Sequence, residues 1–169
     1  MTKTPPLLPD EALERVLRMA RLNGTWVLVV GSFFALLGAA AGDVIGALAW
    51  LLVSGTGAIA LHGGTLLQEG EPRGIRWLVG SQLFCLGFVL ILCTWQLTHV
   101  DVTPLRAAVT TEMRASLAQT GLAEDEFLLL TYRLTYGLVA VGALLYPGGM
   151  ALYYHRRRHA VRAALETVE

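Results

Sequence analysis

From Trp77 to Leu97 the chain reads WLVGSQLFCLGFVLILCTWQL, 21 residues without one charged side chain. No other feature narrows the fold so sharply. A run of about 20 apolar residues is what an α-helix needs to cross the roughly 30 Å of bilayer hydrocarbon. In that medium a helix also satisfies its own backbone, since no water is there to do so.

Three further spans can be drawn. Gly24 to Gly42 and Val44 to His62 are separated by Asp43, and a fourth apolar run ends at Tyr154. Tyr153 and Tyr154 suit an aromatic belt, and the following His155-Arg156-Arg157-Arg158 belongs in water or headgroups. Counting back about 20 residues from Tyr154 starts this span near Leu134. The expected fold is all-α: a polytopic membrane protein with four transmembrane helices, about 24–42, 44–62, 77–97 and 134–154, in a single domain over 1–169. Composition agrees, with 54% hydrophobic and 15% charged residues, against about 25% charged in soluble domains.

Basic residues set the expected orientation. Of 13 in the chain, ten lie at Lys3, Arg15, Arg18, Arg21, Arg73, Arg76, Arg156, Arg157, Arg158 and Arg162. With four spans these share one side. Both termini and the second loop are therefore expected in the cytoplasm, in a bacterial inner or plasma membrane. Asp43, Asp101, Glu112, Glu124, Asp125 and Glu126 fall on the opposite side. GAAAG at 38–42 resembles a signal-peptidase site, but the second span follows at once, so spans one and two read as a retained hairpin with Asp43 capping the second helix.

Two amphipathic segments flank the spans. In EALERVLRMARLNG, Leu13, Val16, Leu17 and Ala20 recur at helical spacing, which predicts a basic surface helix over about 10–22 on the cytoplasmic leaflet. On the outer side, Thr103-Pro104 reads as a cap followed by a first-turn proline, and Leu105, Val109, Met113 and Leu117 recur every four residues. This predicts a helix over about 104–119 stopped by Gly121, covering the apolar FLLL at 127–130.

The candidate functional residues follow from what is unusual inside or beside the spans. Arg133 falls at the outer boundary between Tyr132 and Tyr136; it either pairs with an acid such as Asp43 or Asp101 or faces an aqueous vestibule. Pro147, Gly148 and Gly149 form a candidate hinge, since Pro147 cannot donate to the carbonyl of Ala143. Gly31, Gly38, Gly42, Gly57, Gly80 and Gly87 are candidate helix-packing positions. Ser81, Gln82 and Thr94 are a candidate polar lining, or interhelical hydrogen-bonding groups.

Cys85 and Cys93, eight residues apart on one helix, cannot pair with each other. His155 and His159 have helical metal-ligand spacing, but three adjacent arginines repel a dication, so no metal is expected. No carboxylate lies within a span, and no HExxH, GxSxG, P-loop or dinucleotide fingerprint occurs. The expected chain is therefore not an enzyme, has no cofactor and does not bind nucleic acid. Its expected partners are the lipid bilayer, copies of itself and another membrane protein. The activity read from this is that of an accessory or scaffold subunit acting by helix–helix association; the alternative is a homo-oligomeric channel for ions or small solutes.

Overall fold

In the computed structural model the described residues are 9–120 and 123–166. They form α1 (Pro9–Ala40), α2 (Val44–Gln68), α3 (Gly74–Thr98), α4 (Thr103–Ala108), α5 (Thr111–Thr120) and α6 (Glu124–Glu166). Four of these, α1, α2, α3 and α6, are long and apolar enough to cross a membrane. Gly121, the expected stop of the outer helix, and Lys3 lie outside the described residues.

Two glycines make the tight turns that antiparallel neighbours require. Gly42 (φ +77°) and Gly70 (φ +84°) take left-handed backbone that disfavours any side chain. Each closes a Schellman motif. At the first turn Asp43 N donates to Gly38 O at 2.9 Å and Gly42 N to Ala39 O at 3.1 Å. At the second, Glu71 N donates to Leu66 O at 2.8 Å and Gly70 N to Leu67 O at 3.3 Å. Asp43 caps α2, accepting from Gly46 N at 2.9 Å.

The chain packs as two compact units: Met1–Leu86 with Tyr146–Glu169, and Gly87–Leu145. The first unit holds α1, α2, the start of α3 and the end of α6. Its core is made by Val16 and Ala20 of α1, Ala60 and Leu67 of α2, Ile75 and Leu78 of α3, and Tyr154 and Val161 of α6. Leu13, Leu17 and Leu165 pack against that core.

This packing corrects one expectation. Residues 10–22 are not a separate surface helix, because α1 runs unbroken for 32 residues. At 1.5 Å per residue it extends about 48 Å, well beyond the hydrocarbon. The reason is in the core: Ala12, Val16 and Ala20 are fully buried. The stripe that would lie on a leaflet is covered by protein instead. Asn23-Gly24, the natural place for a break, is held by α2. A Cβ on Gly24 would meet the Leu61 side chain at 2.8 Å and Gly57 O at 3.0 Å.

The second unit holds the end of α3, α4, α5 and the start of α6. The single outer helix expected over 104–119 is two helices. Val109 is extended (φ −72°, ψ 114°), and Thr110 restarts the helix by accepting from Met113 N at 3.3 Å. The β-branched pair Val109-Thr110, with a hydroxyl free to cap, favours interruption over continuation. α4 also begins one residue early, at Thr103, whose N–H donates to Asp101 at 2.9 Å. The acidic start of α6 is tied to this segment by ion pairs, Arg106 with Asp125 and Arg114 with Glu124. Leu117 and Leu128 are buried, whereas Met113 and Leu130 are exposed, so the expected apolar cap over 127–130 is partial.

Candidate functional site

Three arrangements in the first unit bring side chains together. The first is the seam between α1 and α2. A Cβ on Gly57 would meet Gly24 O and Leu28 N at 2.6 Å, and one on Gly31 would meet Ser54 backbone and side chain at 2.9 Å. At Gly38 the nearest atom, Ala47 N, is 3.1 Å away. Backbones this close leave room for polar pairing across the seam. Ser32 and Ser54 hydroxyls lie 2.8 Å apart, and Ser54 also donates to Leu28 O at 3.2 Å.

The second arrangement is a polar clasp between α1 and α6. Tyr146 Oη donates to Asn23 Oδ1 at 2.8 Å. Asn23 is 4% exposed and Tyr154 fully buried. The Tyr154 hydroxyl lies beside Asn23 but outside hydrogen-bond geometry, so it and Asn23 Nδ2 lack a partner among the described residues. The two tyrosines bracket Pro147, Gly148 and Gly149, all inside the continuous α6. The candidate hinge is therefore pinned to α1 just before its proline. A Cβ added to Gly148 would meet Leu86 Cδ2 at 3.7 Å, while one on Gly149 would meet nothing within 4 Å.

The third is a basic cleft of about 420 Å³, between the α2–α3 turn and the last turns of α6. Arg73, Arg76 and Arg162 line it, with Pro72, Leu165 and Glu166. Arg73 binds Glu71 at 3.0 Å. Among the described residues no carboxylate lies within 4.0 Å of Arg76 or Arg162.

The remaining candidates are dispersed. Gly42 serves its turn, and a Cβ there, or on Gly80 or Gly87, would meet nothing within 4 Å. Ser81 and Gln82 are buried in the first unit, with Ser81 donating to Leu78 O at 2.9 Å. Thr94, in the second unit, donates to Leu90 O of its own helix at 2.8 Å. Asp43 and Asp101 each cap a neighbouring backbone N–H. The bonds from Thr103 hold the Asp101 carboxyl below the usual carboxylate range. Arg133 is exposed and has no ion-pair partner among the described residues. Its neighbour Tyr132 turns inward and donates to Gln96 Oε1 at 2.7 Å, joining α6 to α3. Cys85 and Cys93 are buried and free. His159 Nε2 accepts from Arg158 Nε at 3.2 Å.

Chemically, the seam and the clasp hold helices together, and the cleft presents cationic donors. Asn23, Tyr146, Arg76 and Arg162 are the residues that spacing did not single out. Asn23 carried a usable signal, as an amide at the edge of an apolar span, where it requires a partner. Arg162 carried none, because its approach to the α2–α3 turn depends on how α6 packs. No family model matches the chain, nor does any curated protein sequence or any solved structure.

Proposed function

We propose that this multi-pass membrane protein is an accessory or scaffold subunit that acts by helix–helix association rather than by catalysis. In this reading both termini and the α2–α3 turn face the cytoplasm, and the membrane is the cell's inner or plasma membrane. The observation that carries it is a set of open glycines. Gly55, Gly80, Gly87, Gly137, Gly142 and Gly149 lie in the long helices, and an added Cβ would meet nothing within 4 Å at any of them. Small residues on an outward face let another helix approach closely. By contrast Gly24, Gly31 and Gly57 are used inside the chain. Many polar groups of the spans are also spent internally, as Ser32–Ser54, Tyr146–Asn23 and Tyr132–Gln96.

The channel reading draws on Arg133, exposed without a partner acid among the described residues. It gains nothing from Ser81 and Gln82, which are buried within one chain.

The test is the mass of the protein in nanodiscs and in native membrane extracts, followed by ion flux in liposomes. The expected outcome is a stable complex, with itself or a second membrane protein, and no flux. Gly87→Leu and Gly142→Leu should weaken that complex, while Gly55→Leu serves to map whether α2 takes part. A strict monomer in both preparations would end the association reading. Flux abolished by Arg133→Gln would replace it with the channel.

A further inference from the structure

The basic cleft opens beside an apolar groove, and the two share Arg73 and Arg76. The groove, about 470 Å³, runs along α3 past Trp77, Gly80, Ser81 and Phe84, with Ile59 of α2 on its other wall. Positions 76, 77, 80, 81 and 84 form one stripe of α3, about 12 Å long at 1.5 Å per residue, with Arg73 in the turn just before it. Its floor is open at Gly80, where a Cβ would meet no atom within 4 Å. The surface thus changes along its length from guanidinium to hydrocarbon, with half-exposed Trp77 at the transition. An aromatic ring with one apolar and one wet end belongs where headgroups meet acyl chains.

We propose that this surface binds an anionic phospholipid, its phosphate between Arg76 and Arg162 and one acyl chain in the groove beside Trp77 and Gly80. Charge decides the headgroup. Arg73 is occupied by Glu71, but Arg76 and Arg162 have no carboxylate within 4.0 Å among the described residues. Glu166 also lines the cleft, so its charge is positive but not large. A guanidinium presents two parallel N–H groups to phosphate oxygens and stays charged at every physiological pH. A zwitterionic headgroup brings its own cation against these arginines, whereas a net negative one does not. The groove decides between a lipid and a free phosphate. An inorganic anion would fill the cleft and leave the groove empty; a lipid fills both. The site does not rest on the association reading, since a monomer can carry it, although a lipid chain and a partner helix would compete at Gly80.

The experiment uses the full chain in an uncharged detergent. Melting is followed while phosphatidylglycerol, phosphatidylcholine or inorganic phosphate is added. Phosphatidylglycerol is expected to raise the midpoint saturably, with phosphatidylcholine and phosphate much weaker. Arg76→Gln and Arg162→Gln should each weaken phosphatidylglycerol about tenfold or more, the loss of one charge-assisted contact. Gly80→Leu, which blocks the groove without touching the cleft, should weaken it as well. Arg15→Gln removes the same charge from an exposed position of α1 outside the cleft, and should leave binding unchanged. Inorganic phosphate stabilising as well as the lipid, with Gly80→Leu silent, would replace the lipid with a phosphate site. An equal response to phosphatidylcholine, or an equal loss in Arg15→Gln, would overturn the proposal as well. Because Gly80→Leu leaves every arginine in place, the inference remains testable if an arginine variant does not fold.

Discussion

At the scale of single residues, glycines in α2 that look alike in sequence do different work. Gly57 presses on the backbone of α1, while Gly55, two residues away, faces open space. Gly57→Ala is therefore expected to destabilise the protein by about 1–3 kcal/mol, the usual cost of overpacking. Gly55→Ala should be neutral or stabilising by up to about 1 kcal/mol, the helix-propensity gain over glycine. Melting midpoints of the two variants check this directly, and equal effects would mean that the seam is looser than described. The two tyrosines of the clasp differ in the same way. Tyr146 donates to Asn23, so Tyr146→Phe should cost about 0.6–1.7 kcal/mol, the range of membrane interhelical hydrogen bonds. Tyr154 is wholly buried and its hydroxyl has no partner among the described residues, so Tyr154→Phe should cost nothing or stabilise. A double-mutant cycle of Asn23→Ala with Tyr146→Phe isolates the first bond. Spacing made Gly31, Gly38 and Gly57 visible as close-contact positions. It could not say that Gly42 makes a turn or that a Cβ on Gly80 or Gly87 would meet nothing within 4 Å, because periodicity gives a face and not a neighbour.

At the scale of helices, apolar run length located all four long elements but not their ends. The apolar stripe of residues 13–20 fits a leaflet or a protein core equally well, since both are dry. Only packing decides, and here Val16 and Ala20 lie in a core shared by four helices. Val16→Asp should therefore lower the melting midpoint of the protein in detergent by many degrees, as an unpaired buried charge does. A helix lying on a leaflet would leave that midpoint unchanged. The outer segment was less legible, because its break depends on one threonine accepting from its own backbone. Thr110→Ala removes that cap from α5, at a local cost of about 0.5–2 kcal/mol. Asp101 gives this region a pH dependence. Thr103 lowers its folded pKa, so the stabilisation is complete above the unfolded value and is lost as pH falls through the lower, folded one. The protection of the Thr103 amide, measured as its exchange rate relative to the intrinsic rate at the same pH, should fall in acid below the ordinary carboxylate range. Asp101→Asn should make that protection independent of pH over the same interval, and an unaltered profile would exclude the carboxylate as its source.

For the whole molecule, charge distribution and helix length bear on the same question of orientation. α6 has 43 residues, roughly 65 Å at 1.5 Å per residue, so much of it lies beyond the hydrocarbon. Its end carries Arg156, Arg157, Arg158 and Arg162, and this end shares a core with the arginine-bearing start of α1 and with the start of α3. Nine basic residues among those described (Arg15, Arg18, Arg21, Arg73, Arg76 and the four of α6) thus belong to helices or turns that meet at this packed end, and the positive-inside rule predicts a cytoplasmic side for it. Single cysteines, placed in a variant with Cys85 and Cys93 replaced by serine, test this with a membrane-impermeant thiol reagent. Cysteine at Glu71 should react only in inverted vesicles. Cysteine at Ala41 or Glu112 should react only in right-side-out vesicles. Reaction of positions 41 and 112 on opposite sides would break the four-span arrangement itself. Reaction of both on the inner side, with position 71 outside, would keep the helices but reverse the molecule. In that case the arginine cleft would face the outer leaflet. The predicted side of the membrane and the proposed lipid would then have to be reconsidered together, because the same arginines support both.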